Sequence, residues 1–115
     1  MGLGLKIELE NIEGRVLLRL EGRLDAASAP LLEKKIGNLL EEGHFLLILD
    51  FTRVDYLSSA GLRVLLAASK KSKQKKGTLI LCSLQDEVFE IVKMTGFDKI
   101  LSICSNEKEA LRFGK

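Results

Sequence analysis

Ser58 and Ser59 stand side by side, followed by the small pair Ala60-Gly61 and the leucine-rich run Leu62-Arg63-Val64-Leu65-Leu66. A hydroxyl at such a step could be a nucleophile, a helix cap or an acceptor of a phosphoryl group. A hydrolase nucleophile sits in G-x-S-x-G, where glycines on both sides relieve crowding around a strained serine. Gly61 lies two residues after Ser59, but Leu57 lies two residues before it, so half of that pattern is missing. A serine nucleophile also needs a base, and His44 is the only histidine. No phosphate-cradling G-x-x-x-x-G-K-[ST] loop is present. No catalytic residue is assigned, and an enzyme is not expected.

Other reactive side chains are few. Cys82 and Cys104 fall in apolar stretches and read as buried free thiols; with one histidine and no spaced ligands, no metal or other cofactor is expected. Lys70, Lys71, Lys73, Lys75 and Lys76 crowd the end of a helical pattern, where cations favour the negative end of the helix dipole. No aromatic platform or recognition motif accompanies them, so direct nucleic-acid binding is not expected.

The cap and acceptor readings make different demands. A cap needs one oxygen, which Asp, Asn or Thr would supply as well as Ser, for about 1 kcal/mol. It leaves the second hydroxyl and the small Ala60-Gly61 pair unexplained; small residues there would leave the helix start open to a partner. A phosphate at a helix N-terminus is tolerated by its own protein, because free N–H groups face it. It adds about −1.5 to −2 charge to the surface. Facing a partner carboxylate near 4 Å, each charge pair is repelled by about 4 kcal/mol at an effective dielectric of 20, roughly a thousandfold in affinity.

The elements that must hold this step follow from periodicity. Leu5, Ile7 and Leu9 alternate with Lys6, Glu8 and Glu10, and Val16, Leu18 and Leu20 with Arg15, Arg19 and Glu21, so a hairpin turns through residues 11–14. A helix enters through Ala26-Ala27-Ser28-Ala29-Pro30, capped by Asp25 or Ser28; it buries Leu32, Ile36, Leu39 and Leu40 and ends at Gly43. Phe45 to Leu49 reads as a central strand, Asp50, Thr52 and Arg53 as a polar step, and a helix from about Ala60 turns Leu62, Leu65, Leu66 and Ser69 inward before Gly77 stops it. Thr78 to Cys82 is a strand, and Ser83-Leu84-Gln85-Asp86 has capping-box spacing before a helix that buries Val88, Phe89, Ile91, Val92 and Met94 and ends at Gly96. Ile100 to Cys104 reads as a strand; Asn106 with Glu109 caps a last helix burying Ala110, Leu111 and Phe113. The order β-β-α-β-α-β-α-β-α implies an α/β fold: one domain over residues 1–115, with a mixed sheet opened by an N-terminal hairpin and helices mainly on one face.

The totals agree. The 115 residues are 46% hydrophobic and 30% charged with formal charge +2, ordinary for a globular domain and too weakly basic to imply a polyanionic partner. No apolar run approaches the roughly 20 residues that span a bilayer, and the start of the chain lacks a signal-peptide pattern, so a cytoplasmic protein with no membrane partner is expected.

Three features along the chain, namely Gly22-Arg23-Leu24-Asp25, the Leu47-Ile48-Leu49-Asp50 strand and Ser58-Ser59-Ala60-Gly61-Leu62, resemble the STAS domain proteins, in particular bacterial anti-sigma factor antagonists. The resemblance implies a protein that binds an anti-sigma factor, itself a serine kinase, and so frees a sigma factor. Phosphorylation of the serine two residues before the glycine ends that binding, and a serine phosphatase restores it. By motif that serine is Ser59. Relatives often carry Asp just before it; Ser58 here can hydrogen-bond and cap but supplies no fixed negative charge. Asp25 matches a position beside the phosphorylation site, and Tyr56, Ser58, Ser59, Ala60, Gly61 and Arg63 complete the implied partner surface. The alternative implied by the same resemblance is a structural or regulatory subunit of a stress-signalling or lipid-transport complex.

Overall fold

The computed structural model describes residues 4–113. Its elements are β1 (Leu5–Ile12), β2 (Arg15–Leu24), α1 (Ala29–Glu41), β3 (Leu46–Leu57), α2 (Ser59–Gln74), β4 (Thr78–Cys82), α3 (Asp86–Met94), a 3-10 turn (Phe97–Lys99), β5 (Ser102–Cys104) and α4 (Glu107–Arg112). The expected order of strands and helices is the observed one, with the 3-10 turn added.

The sheet has five strands in the order β1-β2-β3-β4-β5. β1 runs antiparallel to β2, and β2, β3, β4 and β5 are mutually parallel. Glu13 and Gly14 alone link β1 to β2, both at positive φ (50° and 84°), the backbone of a two-residue hairpin whose twist matches its strands. Every later connection to a parallel strand carries a helix, as a crossover requires.

Strand alternation divides the interior into two layers. Leu18, Leu20, Leu47, Leu49, Leu79 and Leu81 face the layer covered by α1, α2 and α3 through Leu32, Ile36, Leu62, Leu65, Val88 and Val92. Leu17, Ile48, Ile80 and Cys82 face the other side, under Ala110 and Leu111 of α4. Helices therefore lie mainly on one face, and a single short helix covers the opposite one.

Several expectations are corrected. The polar step after Leu49 is strand: β3 continues through Asp50, Thr52 and Arg53 to Leu57, paired with β2 along its length. Its polar residues are tolerated because β4 ends at Cys82, opposite Asp50, leaving the rest of β3 without a strand partner on that side, where Gln85 Nε2 donates to the Thr52 carbonyl at 2.9 Å instead. Ser83 does not cap α3. Its backbone is left-handed (φ 60°), and Gln85 is the N-cap, without a side-chain bond. The last strand shortens to Ser102–Cys104 because residues 97–99 coil into the 3-10 turn. Met94 (80% exposed) and Phe113 (47%) lie on the surface, each at a helix end beyond the reach of the core. Cys104 is half-buried rather than buried, because β5 is an edge strand. After α2 it is Lys76 that takes the left-handed conformation (φ 61°), while Gly77 provides space: a Cβ there would lie 2.5 Å from the Phe45 carbonyl oxygen.

Candidate functional site

The sheet brings two chain ends together at one place. Leu24, the last residue of β2, is paired with Leu57, the last of β3, so Asp25 and Ser58 emerge from adjacent strands. The Ser58 backbone N–H donates to the Leu24 carbonyl at 2.9 Å and extends that ladder one residue beyond the strand. The chain then turns into α2. Ser58 is its N-cap, in extended conformation, and its Oγ accepts from the Gly61 N–H at 3.2 Å, while its carbonyl accepts from Leu62 at 2.9 Å. Capping therefore falls to Ser58. Ser59, the first helical residue, is exposed to solvent.

Gly61 is buried. A Cβ on it would come 2.6 Å from the Leu24 carbonyl oxygen and 2.8 Å from Leu24 Cγ, distances side-chain carbons do not tolerate. The expectation that small residues keep the helix start open to a partner is thus corrected at this position. Gly61 is small so that α2 can begin hard against β2, and Ala60 is half-buried beside it.

Asp25 organises the neighbouring loop. Its Oδ1 accepts from the backbone N–H of Ala27 and of Ser28, each at 3.1 Å. The Ser28 backbone N–H bonded to it holds the Asp25 carboxyl below the usual carboxylate range. Ser28 is fully buried; its hydroxyl donates to the Arg23 carbonyl at 2.7 Å, and so knots the end of β2 to the start of α1. Ser28 is the N-cap residue of α1 by position but makes no side-chain cap bond, and Asp25 bonds the turn ahead of it.

Tyr56 is exposed, and the guanidinium of Arg23 lies 4.2 Å from its ring centroid, a cation–π stack set by the parallel pairing of Arg23 with Tyr56. Arg23 Nε is also 3.6 Å from Asp25 Oδ2. Arg63 is exposed on α2, four residues from Ser59 and so on the same helical face. The structure thus gathers Asp25, Tyr56, Ser58, Ser59 and Ala60 at one corner, with Arg63 a turn further on and Gly61 beneath. Sequence reasoning gave Ser28 only a capping role, and it did not single out Arg23, whose stack on Tyr56 depends on the register between β2 and β3.

His44 lies just before β3, and Ser59 just after it. The 12 residues of that strand run most of the molecule's 31 Å length, so no triad joins the pair. Among the described residues no cluster of three or more His, Cys, Asp or Glu could hold a metal, and no helix is long and apolar enough to cross a membrane.

The STAS domain family model matches residues 6–110. The chain belongs to the STAS domain family. It is 36% identical to BtrV of Bordetella bronchiseptica over 92% of this chain and 90% of that one. It is 32% identical to the anti-sigma-B factor antagonist of Listeria monocytogenes over 76% of this chain and 77% of that one. Among solved structures, an anti-sigma factor antagonist from Mycobacterium paratuberculosis superposes with a TM-score of 0.84 at 25% identity, covering 94% of this STAS domain and 92% of that chain.

Proposed function

We propose that this STAS domain is an anti-sigma factor antagonist acting in the cytoplasm: it binds an anti-sigma factor that is a serine kinase, frees the sigma factor, and is switched off by phosphorylation of Ser59. The observation that carries the reading is the division of labour between the serines. Ser58 is engaged as the cap of α2, which leaves the exposed hydroxyl of Ser59 available at the first turn. The names of the relatives support the same reading.

The contact surface is Asp25, Tyr56, Ser58, Ser59, Ala60 and Arg63, with Gly61 setting the height of the helix start beneath them. Phosphate on Ser59 adds about −1.5 to −2 charge to this corner. The fold absorbs it, because the group faces the free N–H end of a 16-residue helix. A docked partner does not: a carboxylate near 4 Å is repelled by about 4 kcal/mol per charge pair at an effective dielectric of 20. A serine phosphatase that removes the group returns the surface to its binding state.

The test is direct. Incubated with its cognate anti-sigma kinase and ATP, the protein should gain one phosphate, mapped to Ser59 by fragmentation mass spectrometry. Phosphate on neither Ser58 nor Ser59 would sink the switch; phosphate on Ser58 alone would move it to the capping residue.

A further inference from the structure

The two edges of the sheet differ. β5 is three residues long, whereas β1 presents eight residues, and among the described residues β2 is the one element in extensive contact with β1. A long uncovered edge offers a row of unpaired backbone groups. Which groups face outward follows from the hairpin. At one end Arg23 N–H donates to the Gly4 carbonyl at 2.8 Å; at the other, Ile12 and Arg15 close a two-residue loop. Both place the even-numbered residues of β1 in hydrogen-bonded pairs with β2. By alternation Leu5, Ile7 and Leu9 direct their N–H and C=O groups away from the sheet.

The side chains there are self-complementary. Leu5-Lys6-Ile7-Glu8-Leu9 has its apolar residues symmetric about Ile7 and its two charges opposite in sign. Lys6 Nζ and Glu8 Oε1 lie 3.5 Å apart, and both side chains are about two-thirds exposed. On the other face Leu9 is 46% exposed.

We propose that the outer edge of β1 pairs antiparallel with β1 of a second copy of this chain, about a two-fold axis at Ile7. In that register Leu5, Ile7 and Leu9 exchange backbone hydrogen bonds with the partner's Leu9, Ile7 and Leu5. Lys6 falls opposite the partner's Glu8, and Glu8 opposite the partner's Lys6. These are the non-hydrogen-bonded positions, where facing side chains come closest. Each copy's own Lys6–Glu8 pair thereby becomes half of a square of alternating charge. A slip of the axis to Lys6 sets Lys6 against Lys6; a slip to Glu8 sets Glu8 against Glu8 and turns Lys6 toward Glu10 of the second copy, whose carboxylate is already held by its own Arg19 at 2.9 Å. Leu9 gains cover from the partner's Leu5, and two five-stranded sheets become one continuous sheet. The joint is narrow, below the roughly 1,000 Å² of a standing interface, and the dimer is a weak, concentration-dependent one. The Ser59 corner lies on β3 and α2, two strands inward from this edge, and stays free in both copies.

Sedimentation of the whole chain across a concentration series tests the proposal. The wild type should dimerise reversibly, more weakly as salt rises. Lys6→Glu and Glu8→Lys should each weaken dimerisation by roughly 3–10-fold or more, since each turns two facing pairs repulsive. The double variant K6E/E8K should return to within about 3-fold of wild type, because it restores opposite charges at both positions. Circular dichroism confirms that these exposed substitutions leave the fold intact. A wild type that remains monomeric to about 1 mM, near the weakest association of interest, overturns the proposal. So does a dimer indifferent to the single substitutions, which would use another face, or a double variant that fails to recover.

Discussion

Ser58 and Ser59 are neighbours of the same chemical type, and the turn of the backbone between them gives each a separate task. Ser58 Oγ accepts the Gly61 N–H, so Ser58→Ala should destabilise the fold by about 1 kcal/mol, read from a denaturant midpoint, while Ser59→Ala should change it far less. Binding should respond the other way. Ser59→Asp should weaken association with the anti-sigma partner while leaving the melting temperature near wild type, and Ser59→Ala should still bind, as calorimetric titration would show. Equal binding by those two variants would remove the charge mechanism. Asp25 gives a pH-dependent reading of the same corner. Hydrogen bonds from Ser28 and Ala27 favour its ionised form, so its folded pKa lies below the unfolded value of about 3.9. Its stabilising contribution is present above that value and is lost as pH falls through the folded pKa. Asp25→Asn keeps an oxygen acceptor without the charge. Thermal melts should therefore find wild type above D25N near pH 7 and the gap closing below about pH 4.

At the scale of elements, the start of α2 is fixed by how closely it approaches β2. Gly61→Ala would push a methyl group into the Leu24 carbonyl and side chain, and α2 would have to lift. A cost of about 1–3 kcal/mol is expected, together with weaker partner binding, because Ser58 and Ser59 ride on the same turn. The denaturant midpoint and a binding titration would measure both. α4 is held differently. Arg19 on β2 reaches Glu107 at 2.7 Å, Glu10 on β1 at 2.9 Å and Asp50 on β3 at 3.1 Å, one guanidinium joining four elements. The hydrogen bonds it donates to Glu107 and then to Glu10 raise its pKa, so it stays charged throughout the working pH range. Asp50 in turn accepts from the Thr52 hydroxyl and N–H, at 2.6 and 2.9 Å.

Across the whole molecule, the two faces of the sheet are covered unequally. Three helices bury one face, and the six-residue α4 shields Cys82 on the other. Burial pushes the Cys82 thiol up to about 11, so it should resist thiol reagents at pH 8 in the native state. Cys104, half-buried on the edge strand, should label first. Arg19→Ala unfastens α4 from the sheet and should speed labelling of Cys82 well above the wild-type rate, followed by mass spectrometry. An unchanged rate would mean that Ala110 and Leu111 hold the helix alone.

The alternation in β1 and β2, the apolar runs of β3 and β4 and the stripe of α1 determine the order of elements, because burial on one face or two leaves a period in the chain. Ser58-Ser59 marks the candidate corner for the same local reason: a cap and a neighbouring hydroxyl have meaning within one turn. Ends of elements were less legible. The polar tail of β3 carries no strand period, and only its pairing with β2 keeps it extended. Tertiary structure alone decided that Gly61 is small for Leu24 and that Arg23 stacks on Tyr56. Each depends on the register between β2 and β3, a contact across more than thirty residues of chain that no local pattern encodes. At the serine turn itself, the sequence offered two hydroxyls, and the fold engaged Ser58 as the cap and left Ser59 facing outward.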